Sequence, residues 1–371
     1  MIYVNGVRFP SDSSSVEGLD MVNALLEHPH LVSASQSFRA VPERKFSVSE
    51  ESGSQGSAEP TCVYVFQREY AIADPALVEI VGTDEATTCV GIVVRNCKNG
   101  MTSIAHMDSP DVVDIGLSQM LSLVPDHDDA ILDVLFYILV SLKSFDFSFD
   151  GLNLLIKICT AMQVHLVGAF DDSATQVWSN QPLLAFELKD GNDDTRSKQH
   201  SEMEGYSFQL CIKIVEKLAE SKVNFQIQNF QVLKNNTRWD SEGNANPIFH
   251  GLAVETSCGS VVPASFDRST RCPDEIIRRI RLGASFKDPG CTGRSMDVVH
   301  IAMMMRHYSD TEILVVASTS PSAEGPDFVH NHKRIWQYLI QHPDWRETFR
   351  SKLPRVFERI ASGNWVMTSD R

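Results

Sequence analysis

A threonine, a cysteine and a histidine in the first third of the chain have the side chains needed for nucleophilic chemistry. Residues 81–89 read VGTDEATTC, and residues 101–108 read MTSIAHMD. A thiol needs a base or a cationic neighbour to become a thiolate near neutral pH, and a histidine needs a third group to fix its orientation and tautomer. The pattern predicts Cys89 as a nucleophile, His106 as its base and Thr83 as the group that orients the imidazole.

The same residues also fit a purely structural role, because most cysteines and histidines serve packing or hydrogen bonding. Asn99 and Gly100 form a strong two-residue hairpin signal, which would place His106 opposite Val93. In such a flat hairpin, at about 3.3 Å per residue, Cys89 and His106 lie roughly 13 Å apart. Contact between them requires a longer turn, a bulge or a curled approach to Cys89.

The elements that must position these residues are short strands and amphipathic helices. Strand patterns occur at residues 1–10, 62–72, 77–81, 87–97, 101–107, 164–170, 223–233, 249–255, 261–266 and 312–317. Helical spacing marks residues 16–26, 152–162, 211–218, 274–282 and 328–339. Because the strands occur in blocks and do not alternate strictly with helices, we predict an α+β sandwich.

Composition narrows the class of protein. Lys and Arg total 33 against 48 Asp and Glu, and the net charge of -15 argues against partners such as nucleic acid or anionic membranes. The most apolar window, residues 130–142, is too short to cross a bilayer. The eight cysteines show no metal-ligand spacing and favour a reducing cytosol, so we expect no membrane span and no metal site.

Several segments together resemble the protein N-terminal asparagine amidohydrolase family. They read VFQREYAI at 65–72, GTDEATTC at 82–89, IAHMD at 104–108, VHLVGAFDD at 164–172, PASFDRSTRCPDE at 263–275 and STSPSAEGPDFVHNH at 318–332. The resemblance implies that an N-terminal asparagine is converted to aspartate with release of ammonia, without a cofactor. The nucleophile would be the cysteine that ends the ATTC motif, here Cys89. It further implies that the product enters arginylation and N-degron degradation, with N-degron pathway proteins as partners and a cytoplasmic location that leaves nuclear access open.

The family in turn resembles chemoreceptor glutamine deamidases and toxins of the cytotoxic necrotizing type, which use a Cys–His pair in an α-β-β sandwich. His106 and Thr83 fall where the chemoreceptor pattern has its histidine and its threonine. On this basis we predict one amidohydrolase domain over residues 1–371. A flexible loop at 37–60, rich in Ser, Glu and Gly, and a helical insertion at 109–162 are expected as additions.

Selectivity for a chain terminus requires a group that binds the α-ammonium, and a carboxylate is the natural choice. We predict Asp108 first, with Asp84 and Glu69 as further candidates and Asp267 as a fourth. Each of these residues also fits a solvated charge or a turn cap.

Further groups are predicted to contact the substrate. Backbone N–H groups near Thr88 and Cys89 would hold the oxyanion, and Ser265 would line the pocket together with Ser318 and Ser320.

Two other functions stay open. One is a deamidase that acts on glutamine or asparagine side chains of folded proteins, and the other is a non-catalytic protein that recognises N-termini.

Overall fold

The structure is a computed structural model. It describes residues 1–9, 18–47, 62–122, 162–173, 195–268, 270–271, 276–279, 294–318, 320–343, 357–359 and 365–367. The apolar window 130–142 lies outside these residues. So does the predicted helix at 152–162, except for Met162, which begins a strand.

Strands and helices are mixed along the described chain. The strands are β1 Ile2–Val4, β2 Val7–Phe9, β3 Arg44–Phe46, β4 Cys62–Tyr64, β5 Tyr70–Ala73, β6 Ile80–Thr83, β7 Val90–Arg95, β8 Thr102–Met107, β9 Met162–Phe170, β10 Phe225–Leu233, β11 Thr237–Trp239, β12 Ala245–Pro247, β13 Leu252–Glu255, β14 Ser260–Phe266, β15 Phe357–Arg359 and β16 Trp365–Met367. The helices are α1 Gly18–Glu27, α2 Pro29–Ala40, α3 Val113–Ser122, α4 Thr195–Glu220, α5 Ile276–Arg279, α6 Arg294–Met305, α7 Asp310–Ala317 and α8 Phe328–Gln341. The predicted combination of helices and sheets is confirmed.

Two sheets contain most of the strands. The large sheet has the order β2-β1-β10-β9-β7-β8-β5, and the small sheet has the order β3-β14-β13-β6-β4. In the large sheet β1, β10 and β9 run parallel, whereas β7, β8 and β5 are joined by antiparallel pairing. Such a mixed sheet agrees with strands that occur in blocks along the sequence.

The two faces of the large sheet pack against different partners. On one face Ile92 and Val94 share a buried core with α1, α3 and α4, which contribute Leu25, Met120 and Ile214. On the other face Val93, Ile104 and Val167 pack with Val81 and Leu252 of the small sheet. Alternating side chains along β7 therefore separate a helix-facing core from a core between the sheets.

The chain passes repeatedly between the two sheets before the predicted nucleophile. It runs from β4 in the small sheet to β5 in the large sheet, returns to β6 in the small sheet, and enters β7 in the large sheet. The single strand predicted at 62–72 is therefore two strands in different sheets. As a result, residues 84–89, which connect β6 to β7, lie at the junction of the sheets.

Two expectations about local structure differ from what the structure contains. The strand predicted at 312–317 is wrong, because these residues belong to α7. Ser309 begins this helix with a capping box, in which its Oγ accepts a hydrogen bond from Glu312 N and its backbone N donates to the Glu312 carboxylate. A capping box stabilises the first helical turn, and here it outweighs the strand propensity of the β-branched residues that follow.

The loop predicted at 37–60 is partly regular. Its first residues complete α2, and Arg44–Phe46 form β3, which pairs in parallel with β14. That pairing joins residues far apart in sequence, so composition could not reveal it. Residues 48–60 lie outside the described chain. Of the insertion predicted at 109–162, the described part contains the helical segments Pro110–Val112 and α3.

Candidate active site

The register of the hairpin formed by β7 and β8 decides where His106 lies. Gly91 is opposite His106, and Val90 is opposite Met107. The chain turns over residues 97–100, since Asn96 N donates to Met101 O over 2.9 Å and Gly100 N donates to Asn96 O over 2.8 Å. The predicted pairing of His106 with Val93 is therefore wrong by two residues, because the turn is longer than the Asn99-Gly100 dipeptide alone.

This register brings Cys89 near His106. Cys89 directly precedes β7 and continues its pairing with β9, because Ala169 N donates to Cys89 O over 2.7 Å. By strand alternation Cys89 shares with Gly91 and His106 the face that is turned toward the small sheet. Cys89 is thus a diagonal neighbour of His106, at the spacing of about 7–8 Å that longer side chains bridge. The estimate of roughly 13 Å for a flat two-residue hairpin does not apply.

A hydrogen bond between the two sheets fixes the imidazole of His106. Thr83 Oγ1 in the small sheet lies 2.8 Å from His106 Nδ1 in the large sheet, and Thr83 Oγ1 also donates to Val65 O over 2.7 Å. A hydroxyl has one proton to donate, so Thr83 Oγ1 accepts from the Nδ1–H of His106. In the neutral ring Nε2 is then the basic nitrogen. Thr83 is 0% and His106 2% exposed.

The backbone of His106 is also held on its outer side. Arg68 N donates to His106 O over 2.8 Å, and His106 N donates to Glu69 O over 3.1 Å. The turn that precedes β5 therefore extends the pairing of β8 at this residue. A ring fixed through both its backbone and Nδ1 is well suited to present Nε2 in one direction.

Gly91 provides the room for the hydrogen bond between the sheets. A Cβ atom at this position would lie 3.2 Å from Thr83 Cγ2 and 3.1 Å from Leu252 Cδ2. These distances are shorter than ordinary contacts between carbon atoms. The missing side chain thus allows the small sheet to approach the strand next to Cys89.

The 84–89 loop is anchored to both sheets. Ala86 N donates to His250 O over 2.8 Å, and Phe170 N donates to Thr87 O over 3.2 Å. Cys89 is 7% exposed, and Thr88 is half-buried. The loop therefore holds the thiol and the backbone amides of Thr88 and Cys89 together at the edge of the buried core.

Asp84, predicted to contact the substrate, is a buried residue with three partners. Tyr64 Oη donates to its Oδ1 over 2.6 Å, while Phe266 N donates to Oδ2 over 2.6 Å and Arg271 Nη2 approaches Oδ2 to 3.2 Å. Burial raises the pKa of Asp84 to about 6, and the Arg271 guanidinium opposes that shift. Its carboxylate joins β4, β14 and the 84–89 loop.

Asp108 and Glu69, the other predicted carboxylates, also have arginine partners. Arg68 Nε donates to both Asp108 oxygens over 2.8 and 2.7 Å, and Gln67 Nε2 donates to Oδ2 over 2.6 Å. Arg278 donates to both oxygens of Glu69 over 3.0 and 2.7 Å. Asp267 is exposed on the loop after β14. The charges of Asp108, Glu69 and Asp84 are therefore each balanced by a guanidinium.

Comparison with known proteins gives the family. A family model described as protein N-terminal asparagine amidohydrolase matches residues 52–136 and 156–367. The chain belongs to this amidohydrolase family. A relative from Arabidopsis thaliana named protein N-terminal asparagine amidohydrolase is 41% identical over 391 residues, which cover 98% of this chain and 99% of the relative. Relatives of the same name from Homo sapiens and Mus musculus are each 26% identical and cover 83% of this chain and 84% of their own. The resemblance predicted from the sequence is confirmed.

Ser265 of this amidohydrolase lies on the same face of the small sheet as Thr83. Ser265 is half-buried on β14. Pro263, Leu252 and Thr83 pair with one another across β14, β13 and β6 and therefore share one face of the small sheet. Ser265, two residues after Pro263, lies on that same face. Its position on this face agrees with the predicted pocket. Its contact with substrate stays a prediction.

Glu324 is a half-buried carboxylate that was not among the predicted site residues, although it lies in the segment STSPSAEGPDFVHNH at 318–332. Burial is the main cause that raises the pKa of Glu324 to about 7; the hydrogen bond from the Ser318 hydroxyl opposes this shift, and the nearby carboxylate of Glu85 contributes to it. The only sequence feature that could have pointed to Glu324 was a charged residue within a segment typical of the family.

In the part of the chain that the structure describes, no group of three or more His, Cys, Asp and Glu side chains could hold a metal ion, and no helix is long and apolar enough to cross a membrane.

Proposed function

We propose that this chain converts the N-terminal asparagine of proteins or peptides to aspartate, with Cys89 as the nucleophile. The observation that carries the proposal is the hydrogen bond from His106 Nδ1 to Thr83, which leaves Nε2 as a base on the face shared with Cys89. Membership of the amidohydrolase family supports the substrate, since its relatives are named for N-terminal asparagine.

The reaction would proceed through a thioester. His106 Nε2 takes the proton of the Cys89 thiol, and the thiolate attacks the carboxamide carbon of the asparagine side chain. The backbone N–H groups of Thr88 and Cys89 hold the oxyanion of the tetrahedral intermediate. As the C–N bond breaks, the proton on Nε2 moves to the leaving nitrogen and ammonia departs.

Hydrolysis then regenerates the enzyme. With ammonia gone, the neutral His106 takes a proton from a water molecule, whose oxygen attacks the thioester carbon. The C–S bond breaks, the proton returns to the Cys89 sulfur, and aspartate is released. Thr83 stays hydrogen-bonded to the imidazole throughout, and every step uses side chains and backbone amides of this chain together with water.

The biological setting that we propose follows from the family. An N-terminal aspartate is a substrate for arginylation, so the product would enter N-degron degradation in the cytoplasm. The packing of helices, large sheet and small sheet supports a likeness to the α-β-β sandwich of chemoreceptor and toxin deamidases. Those relatives act on side chains within folded proteins, which keeps such a deamidase as the second candidate function.

The test measures ammonia release and product mass with a peptide that begins with asparagine and with its acetylated form. We expect the wild type to convert the free peptide and to reject the capped one. Cys89→Ala should abolish conversion, whereas Cys97→Ala, on the exposed turn between β7 and β8, should leave it unchanged. Equal rates with both peptides would favour the side-chain deamidase, and binding without a change in product mass would favour a recognition protein.

A further inference from the structure

Glu324 differs from the carboxylates that the sequence singled out. Asp84, Asp108 and Glu69 each have an arginine partner. Glu324 is half-buried, and its one hydrogen bond within the described chain comes from the Ser318 hydroxyl. No cationic side chain among the described residues pairs with it. Its negative charge is therefore available to a cation that enters from outside the protein.

The position of Glu324 connects it to the loop that carries Cys89. The turn Pro321–Ala323 directly precedes Glu324 and lies against β12. The chain after β12 continues to His250, whose carbonyl holds Ala86 of the 84–89 loop. In the same loop Glu85 is close enough for its charge to act on Glu324. Glu324 thus approaches the 84–89 loop from the side of β12.

Among the described residues, the charges around Glu324 leave a surplus of one carboxylate. Glu85 forms an ion pair with Arg271 and lies 3.7 Å from Arg279, and Arg271 also pairs with Asp84. These two guanidiniums face Asp84 and Glu85, and neither pairs with Glu324. An incoming ammonium group would therefore complete the charge balance.

A second, independent feature of the same turn points to a site for a polar group. Ser320 is 3% exposed, and its Oγ has no hydrogen-bond partner in the described structure. Its backbone N donates to Ser318 Oγ over 2.9 Å, so Ser320 and Glu324 are joined through the side chain of Ser318. Buried hydroxyl groups are normally satisfied, and a polar group that binds here would supply the partner.

We propose that Glu324 binds the α-ammonium of the N-terminal residue of the substrate, with Ser320 Oγ as a second acceptor. This inference rests on the proposed function and names the group that makes it selective for a chain terminus. An ammonium has several N–H donors, so it can bind the carboxylate and the hydroxyl at once. An internal or acetylated asparagine lacks this charge and would leave the Glu324 carboxylate without a counter-ion.

The experiment compares Glu324→Gln with the wild type on free and acetylated asparagine peptides. Glutamine keeps the shape of the side chain and an oxygen for Ser318, but it removes the charge. We expect kcat/KM for the free peptide to fall on the order of 100-fold, chiefly through KM. The slow rate with the acetylated peptide should not change, so the selectivity ratio collapses. Asp327→Asn, which neutralises a carboxylate in the same segment, should keep the ratio.

Binding measurements separate this inference from the proposed reaction. In the Cys89→Ala background, calorimetry should give a Kd for the free peptide that rises on the order of 100-fold when Glu324→Gln is added. If the wild type released no ammonia, the proposed function would fail, and this measurement would still decide the role of Glu324. An unchanged Kd and selectivity ratio in Glu324→Gln would overturn the inference. The inference would also be overturned if the selectivity ratio collapsed in Asp108→Asn but was preserved in Glu324→Gln.

Discussion

The single proton of the Thr83 hydroxyl determines how His106 can act. Because Val65 O receives that proton, Thr83 Oγ1 accepts from the imidazole Nδ1. A residue that acts in this way positions the base without touching the substrate. Hydrogen-bond partners that orient histidines in metal sites typically contribute about 10–100-fold to affinity or activity, and we expect a similar contribution from Thr83.

We expect Thr83→Val to lower kcat by about 10–100-fold and to leave KM nearly unchanged, because valine keeps the volume but removes the acceptor for Nδ1–H. Thr83→Ser should restore most of the loss, since serine retains the hydroxyl. Thr102→Val removes another buried hydroxyl of β8, which bonds Gly100 O, and serves as the matched control. Steady-state kinetics with an asparagine peptide would measure both parameters. A rise in KM with kcat preserved would contradict the positioning role.

At this scale the sequence singled out Thr83, Cys89 and His106, which the structure places on facing sheets, but it did not predict the partners of the carboxylates. Thr83, Cys89 and His106 could be selected because their types and order carry chemical meaning. The partners of Asp84 and Glu69 come from arginines 187 and 209 positions later in the chain. No local pattern encodes such contacts, so the sequence alone cannot distinguish Asp84 and Glu69 from carboxylates that are free to bind substrate.

The length of one turn sets the distance between Cys89 and His106. Two asparagines shape this turn, since Asn96 Oδ1 accepts from Lys98 N over 2.9 Å and Asn99 Oδ1 accepts from Met101 N over 3.0 Å. Gly100 has a φ of +75°, which glycine adopts without strain. The Asn99-Gly100 dipeptide fits both a two-residue turn and this longer one. The strands were therefore predictable from sequence, whereas their register was not.

Gly91→Ala tests how closely the two sheets must approach at this hairpin. The added Cβ would press on Thr83 Cγ2, on Leu252 Cδ2 and on the backbone oxygen of Val167, so these neighbours would have to shift slightly. We expect a loss of about 1–3 kcal/mol in the free energy of unfolding. We also expect a lower kcat, because Thr83 is displaced from His106. Urea denaturation and kinetics would measure the two effects.

Gly116→Ala provides the comparison for this variant. Its Cβ would meet the mobile end of the Met107 side chain, and alanine favours the surrounding helix α3. This second variant should be as stable as the wild type or more so. If Gly91→Ala behaved in the same way, Gly91 would not be required for the approach of the sheets.

Across the whole molecule, the core between the sheets contains a histidine that the proposed reaction does not use. His165 on β9 lies opposite Val93, and burial lowers its pKa to about 4, with the charge of Arg95 acting in the same direction. A histidine that stays neutral in the folded state stabilises it above its unfolded pKa of about 6.5. That contribution is lost as the pH falls from about 6.5 toward 4, because the unfolded chain binds the proton first.

Buried carboxylates act in the opposite sense over nearly the same range. Burial raises the pKa of both Asp84 and Asp172 to about 6, so the folded state holds their protons more tightly than the unfolded chain. Their contribution falls as the pH rises from about 4 to 6. The strand and helix patterns of the sequence correctly predicted a chain of mixed α and β class. They could not predict these groups, because burial depends on how the layers assemble.

His165→Leu should therefore flatten the acid side of the stability profile. Between pH 7 and pH 4.5 the wild type should lose more stability than the variant, by at most about 3 kcal/mol for a shift from 6.5 to about 4. Urea denaturation at the two pH values would give this difference. His300→Leu alters an exposed histidine and should retain the profile of the wild type. If the stability of the wild type and of His165→Leu fell equally between the two pH values, His165 would not be the cause of the acid-side loss.

The base and the residue that orients it belong to different layers, and this has a consequence for heat tolerance. The hydrogen bond between Thr83 and His106 crosses the interface between the two sheets, which we call the seam. A small displacement of one sheet against the other would release the imidazole, while the backbone hydrogen bonds within each sheet stayed intact. The temperature at which turnover is lost would then follow the stiffness of the seam. It would not follow the melting of the strands themselves.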